Sequence, residues 1–315
     1  MSEIPFLSLL GTDVTVYSLL TALAILAAGS VMLARSRKKG LSARPVGLFF
    51  LLALLFGLLL GRGVYCAVRC NSVFFDELGD PKGWLPFFTL ETGSVNAFGV
   101  LLGVLLGAWA TGKIAGASPA VLLDGAALPG LGLFAFERLI EPLSGQGFGP
   151  LVSNPLLCWP PLSIDSGWGD WSLSVSFIEA VLLLIAALFL VKAACRRPGT
   201  RALYALALIA GTQIIPEILR QDDVLLILIF GPVTQIGYAV LLLTALIGGL
   251  RSAGKKTAIR EILLLLLGVA LIGGGEFALD KSDWPPLLLY GVMILVLAAM
   301  TWMTLRRIRM HDCPA

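Results

Sequence analysis

Residues 46–67 read VGLFFLLALLFGLLLGRGVYCA, a stretch whose single charge is Arg62. Wound as an α-helix it is about 33 Å long, enough to cross a hydrocarbon core of roughly 30 Å. A helix this long and apolar around its whole circumference belongs in lipid rather than on a soluble core. Runs of the same kind recur at 14–34, 95–112, 118–139, 173–192, 202–219, 224–249, 260–278 and 285–305. The whole chain agrees with its parts. It is 57% hydrophobic and 14% charged, against roughly 25% charged residues in a soluble domain. So few charges cannot coat a water-facing surface, and a lipid-facing surface of helices is the fold they permit. The same numbers exclude a disordered chain, a disulfide scaffold and a nucleic-acid binder, and the net charge of +3 says less than where the charges lie.

The positions of the basic residues orient the spans. Arg35, Arg37, Lys38, Lys39 and Arg44 follow the first; Lys113 follows the third; Lys192, Arg196, Arg197 and Arg201 follow the fifth. Arg251, Lys255, Lys256 and Arg260 follow the seventh, and Arg306, Arg307 and Arg309 end the ninth. These alternate connections hold seventeen of the 23 basic residues, so the positive-inside rule predicts nine spans with the N-terminus outside and the C-terminus inside. Trp84, Trp159, Trp168, Trp171 and Trp284 fall at or beyond the outer boundary, as interfacial anchors do. The start MSEIPFL lacks a basic n-region, so no cleavable signal peptide is expected.

The fourth span (Asp124, Pro129 and several glycines) and the sixth (Gln213, Pro216, Glu217) are poor lipid-facing helices. They are expected inside the bundle, where neighbours satisfy freed backbone groups. The long outer segment 141–172 is rich in Pro, Gly and Trp and, read as a loop without secondary structure, falls in the class that is functional or disordered. No internal repeat is evident, which argues against an inverted-repeat transporter.

Polar residues collect at the outer ends of six spans: Arg62, Glu137, Arg138, Glu141, Glu217 and Arg220 on the even-numbered ones, and Tyr17, Asn96 and Glu179 on the odd. Taken singly, Glu217 and Arg220 can be a local i,i+3 pair, and Arg62 can snorkel to the headgroups. Taken together, charges at one depth mark a functional site. Arginine grips phosphate through paired donors, so the set points to a phospholipid headgroup. His311, the single histidine, lies in the cytoplasmic tail, and the five cysteines form no CxxC, so no metal or cofactor is expected. Cys70 and Cys158 could meet in an oxidising exterior, although unpaired thiols suit these positions better.

At these residues the sequence resembles the bacterial prolipoprotein diacylglyceryl transferase family, whose core has seven spans. The likeness runs from Tyr17 to Leu250 and rests on the order of several blocks. The family's Trp-Tyr-Gly looks like Val16-Tyr17-Ser18, and its Gly-Arg-x-x-Tyr appears as Gly61-Arg62-Gly63-Val64-Tyr65. Its glycine-rich block with a central histidine is similar to the stretch from Gly93 to Gly103, which contains Asn96. The signature Gly-Arg-x-Gly-Asn-Phe-x-Asn-Gly-Glu-x-x-Gly aligns without a gap from Glu137 to Gly149, with Asp124 at the family's distance before it. The next block keeps only Glu179, while Arg-x-x-x-Glu-x-x-Arg looks like Gln213 to Arg220, and a later Gly-Gln resembles Thr234-Gln235. Phe98 stands where the family has its histidine, Gln213 where it has a basic residue, and Glu141 and Ser144 where it has two asparagines.

The resemblance implies transfer of the diacylglyceryl group of phosphatidylglycerol to the lipobox cysteine of a prolipoprotein signal peptide, by a monomeric multi-pass protein of the bacterial plasma membrane. By carry-over Arg138 holds the lipid phosphate. Tyr17, Arg62, Tyr65, Asn96, Glu179, Gln213, Glu217 and Arg220 shape the substrate cavity. With Phe98 in the histidine's place, either Glu137 or Glu141 serves as the base, or the scaffold binds or senses anionic phospholipid without turnover. The chain divides into a core, 1–250, and an additional C-terminal transmembrane hairpin with a basic tail, 251–315. We expect a single cysteine at position 144 to react with an impermeant thiol reagent from outside intact cells, and one at position 253 only after permeabilisation. Reaction at position 144 from the cytoplasm alone would reverse the orientation.

Overall fold

A computed structural model describes residues 5–9, 12–38, 41–88, 95–165, 169–193, 195–221 and 232–312, with side chains from residue 15 onward except that of Lys38. Lys39, Gly93, Ser94, Trp168, Cys313 and the start of the run expected at 224–249 lie outside them. Chain order begins with a hairpin, β1 (Pro5–Leu9) and β2 (Thr12–Thr15), followed by α1 (Val16–Lys38), α2 (Ala43–Val68), the short α3 (Cys70–Phe74), α4 (Ala97–Ala115) and α5 (Pro119–Ile140). Strands β3 (Phe148–Leu151), β4 (Ser163–Asp165) and β5 (Trp171–Ser174) come next. Then follow α6 (Val175–Lys192), α7 (Thr200–Gln213), α8 (Pro216–Leu219), α9 (Val233–Gly249), α10 (Lys255–Lys281) and α11 (Pro286–Asp312). Nine helical segments among the described residues are long and apolar enough to cross a membrane. They coincide with the nine runs read from the sequence, with α7 and α8 together forming the sixth.

The segment 141–172 differs from its reading as a structureless loop. It carries an antiparallel sheet in the order β3-β5-β4, in which Ser163 faces Leu173 and Asp165 faces Trp171. Pairing satisfies backbone groups that would otherwise need water, and the glycines at 145 and 147 adopt φ of 75° and 87° to turn the chain into β3. Cys66, Cys70, Cys158 and Cys195 are free thiols. The Cys158 Sγ donates to the Asn154 carbonyl at 3.2 Å.

Between helices in lipid there is no hydrophobic gain to drive association, so close packing of small residues matters. Helices α2 and α4 meet along Gly99, Gly103 and Gly107. A Cβ on Gly103 would strike the backbone of Phe56 and Gly57, and one on Gly107 would come within 2.7 Å of the Ala53 nitrogen. Asn96 caps α4, its Oδ1 accepting from the amides of Phe98 (3.0 Å) and Gly99 (3.3 Å). The seam therefore fixes the end of α4 against Gly61, whose carbonyl takes the Asn96 amide at 3.1 Å.

The hairpin α10–α11 shares one buried cluster with α7 and α9, in which Ile272, Met293, Met300 and Ile308 meet Leu208, Leu241 and Leu246. Glycine again sets the approach: a Cβ at Gly268 or Gly275 would collide with Met300 or Met293. The basic connections gather at one end of the bundle. There the Asp312 carboxylate accepts from the amides of Arg196 and Arg197 (2.7–3.0 Å). Asp124 likewise accepts from Gly199 (2.7 Å) and Ala202 (2.8 Å), closing the start of α7. Gly103→Val is expected to lower the thermal midpoint of the detergent-solubilised protein by several degrees, since overpacking costs about 1–3 kcal/mol. Gly47→Val, with nothing within 4 Å of its Cβ position, should leave the midpoint unchanged.

Candidate functional site

At the end of the bundle opposite the basic connections, four chain segments bring two guanidinium groups and three carboxylates together. Helix α5 delivers Arg138 in its last turn. The chain then tightens into a one-turn 3₁₀ segment, Glu141–Ser144, with Pro142 near its start. That turn folds Glu141 back, so that both its oxygens lie 2.9 Å from Arg138 Nη1. Glu179 enters from the first half of α6 and is fully buried.

The break between α7 and α8 places the last two members. Pro216 cannot continue the hydrogen-bond ladder of α7, and α8 restarts there with Glu217. Arg220 then leaves helical geometry at φ −69° and ψ 133°. The next amide, Gln221 N, donates to the Phe148 carbonyl of β3 at 3.0 Å. The small sheet thus turns Arg220 inward. Its Nη2 reaches Glu141 Oε1 at 2.6 Å, and its Nη1 lies 3.2 Å from Glu141 Oε2 and 3.1 Å from Glu179 Oε2. Arg138 meets Glu179 through Nε at 3.1 Å and Glu217 through Nη2 at 3.5 Å. The remaining Glu217 oxygen accepts from the Thr234 hydroxyl of α9 at 2.8 Å. With all five groups ionised, the knot carries one excess negative charge.

The other residues expected in the site make their hydrogen bonds outside the knot. Glu137 Oε2 accepts from Tyr17 and Thr21 of α1, both at 3.2 Å. Its buried Oε1 has no hydrogen-bond partner among the described residues. Arg62 instead donates to the carbonyls of Phe87 (3.1 Å) and Pro86 (2.7 Å). Its guanidinium carbon lies 5.1 Å from the centre of the Tyr65 ring. Asn96 serves the α4 cap, and Phe98 packs on Gly237 of α9 closely enough that a Cβ there would collide with the ring. Gln213 is fully buried one turn before Glu217, with Oε1 unpartnered among the described residues.

Three participants carried little signal in sequence. Thr21 lies one turn after Tyr17, and Tyr238 one turn after Thr234; both read as ordinary apolar-span residues. Tyr238 is fully buried, with Arg138, Glu217 and Glu179 as its charged neighbours. Thr234 stood beside the singled-out Gln235, yet its hydroxyl rather than the amide meets the knot. Phe134 adds an apolar lid, its ring centre 5.1 Å from the Arg138 guanidinium carbon.

Chemically, the knot offers two guanidinium groups held close together by three carboxylates, while the Tyr17–Thr21–Glu137 group offers a carboxylate oxygen with no hydrogen-bond partner among the described residues. The family model described as prolipoprotein diacylglyceryl transferase matches residues 5–251, ending just before α10. A search of curated proteins returns no match. Arg220→Ala leaves buried carboxylates without their counter-charge and is expected to cost about 3–5 kcal/mol of stability. A thermal melt of the purified variant beside Arg62→Ala, which removes donors to the Phe87 and Pro86 carbonyls, should show the larger loss for Arg220.

Proposed function

The chain belongs to the prolipoprotein diacylglyceryl transferase family, and on that premise we propose that it transfers the diacylglyceryl group of phosphatidylglycerol to a lipobox cysteine of a prolipoprotein at the outer face of a bacterial plasma membrane. The family's reaction is a step of lipoprotein biosynthesis, and this member is a multi-pass membrane protein. The donor, the acceptor peptide and turnover itself are our reading. In the proposed reaction the thiolate sulfur attacks the glycerol carbon bearing the phosphate oxygen. That carbon–oxygen bond breaks with its electron pair on the oxygen, and glycerol phosphate departs. Arg138 and Arg220 would oppose the charge that gathers on the leaving phosphate.

The observation that carries the reading is the Glu137 carboxylate. A thiol needs a base to become the nucleophile, and the family's histidine is replaced by Phe98. Of the two acids available, Glu141 has both oxygens engaged by two guanidinium groups. Glu137 takes its hydrogen bonds from two neutral hydroxyls and keeps Oε1 unpartnered among the described residues, which leaves it a lone pair for the thiol proton. We therefore assign Glu137 as the general base, Tyr17 and Thr21 as the groups that orient it, and Glu141 as a counter-ion.

General-base catalysis typically contributes about 10²–10⁴-fold. Release of glycerol phosphate from phosphatidylglycerol in the presence of a lipobox peptide should fall by that order in Glu137→Gln and change little in Phe98→His. Strong activation by Phe98→His would show instead that the base is missing. Equal inactivity of the wild type and both folded variants would leave an anionic-lipid binder or sensor on the same scaffold.

A further inference from the structure

The grip on Glu141 has the geometry of a bound ligand. Arg138 Nη1 lies 2.9 Å from each carboxylate oxygen, and the two terminal nitrogens of Arg220 reach one oxygen each at 2.6 and 3.2 Å. Arg220 thus makes the two-pronged contact by which arginine recognises carboxylate and phosphate, and Arg138 adds one nitrogen shared between the same two oxygens. The three acids of the knot are not equivalent. Glu179 is fully buried on the continuous helix α6, and Glu217 is held additionally by Thr234. Glu141 retains 8% exposure and stands on a one-turn 3₁₀ segment followed by Gly145 and Gly147 in left-handed conformation. It is the member of the three placed to yield.

We propose that Glu141 is the specificity-determining group of this site: an internal anion seated in the Arg138–Arg220 pair, which a phosphate-bearing ligand must displace. The inference rests on the transferase reading for the identity of that ligand, the phosphate of a glycerophospholipid or its glycerol phosphate headgroup. Charge makes the selection. With these five described groups ionised the knot has one excess negative charge, and a phosphodiester added beside it would make two in a poorly screened interior. Neutralising Glu141 leaves two guanidinium groups facing two carboxylates, so that a bound phosphodiester restores the charge of the unliganded wild type.

The test uses the full chain in phosphatidylcholine nanodiscs, titrated with soluble glycerol phosphate in one arm and with phosphatidylglycerol in the other, with binding read by native mass spectrometry. Glu141→Gln and Glu141→Asn should bind tighter than wild type by about tenfold or more, the scale of one charged hydrogen-bonding partner. Glu141→Asp, which keeps the competing charge, should stay close to wild type. Tightening in both arms assigns the seat to the phosphate alone, and tightening only with phosphatidylglycerol assigns it to the phosphate of the embedded lipid. Folded Gln and Asn variants that bind no tighter than wild type would overturn the proposal. So would failure of both to fold, since Glu141 would then be a counter-ion required by the fold. Tighter binding without glycerol phosphate release from any variant would support the internal anion and reject the transferase reading.

Discussion

Two buried guanidinium groups govern the architecture at one end of this protein. Removing a charge from water costs several kcal/mol even after the surroundings relax, and an arginine cannot escape that cost by losing its proton. Arg138 and Arg220 therefore require carboxylates at contact distance from several directions. Glu141, Glu179 and Glu217 supply them from the end of α5, from α6 and from α8. Such a knot does not stabilise the fold more than well-packed apolar groups would. What it does is make every alternative arrangement of these segments expensive, because each would strand a charge.

The irregular parts of the backbone follow from that requirement. The break at Pro216, the 3₁₀ turn after Ile140 and the strand β3 all lie within a few residues of an ionic partner. The first two take the chain out of regular α-helix beside Glu217 and Glu141. The sheet of the 141–172 segment is thus structural in effect: its Phe148 carbonyl holds Gln221, and Arg220 is the neighbouring residue. Elsewhere, glycines at helix crossings and carboxylates at helix starts do the work that apolar burial does in a soluble protein. Asp124 and Asp312 bring α5 and α11 to the start of α7, so the hairpin beyond the family-matched region is bound to the core at both its middle and its basic end.

The polar residues at the opposite end divide the chemical labour. Arg62 is bonded to the carbonyls of residues 86 and 87, and Asn96 closes a helix; both shape the scaffold around the site. Glu137 and Glu141 are one helical turn apart in sequence yet meet unlike partners, neutral hydroxyls for the first and guanidinium groups for the second. Two chemically identical side chains are thereby set for different roles, as proton acceptor and as internal anion in the proposals above.

The nine spans, the end of the bundle at which the basic residues gather, and the family were all legible in the amino-acid order. Lipid imposes a local and continuous demand: each span must be apolar over about 20 consecutive residues, and every connecting charge must fall at a boundary. Gly61-Arg62 and the stretch from Glu137 to Gly149 were legible for the same reason, as contiguous blocks. Which polar groups meet depends on how the helices pack. Arg220 lies 41 positions from Glu179 and 79 from Glu141, and no periodicity links them. Equal depth in the membrane made Arg62, Tyr17 and Arg138 look like one site, but depth is a single coordinate. The rotation of each helix about its axis, set by glycine seams and by the break at Pro216, separates them into three groups and puts Glu141 between the two arginines.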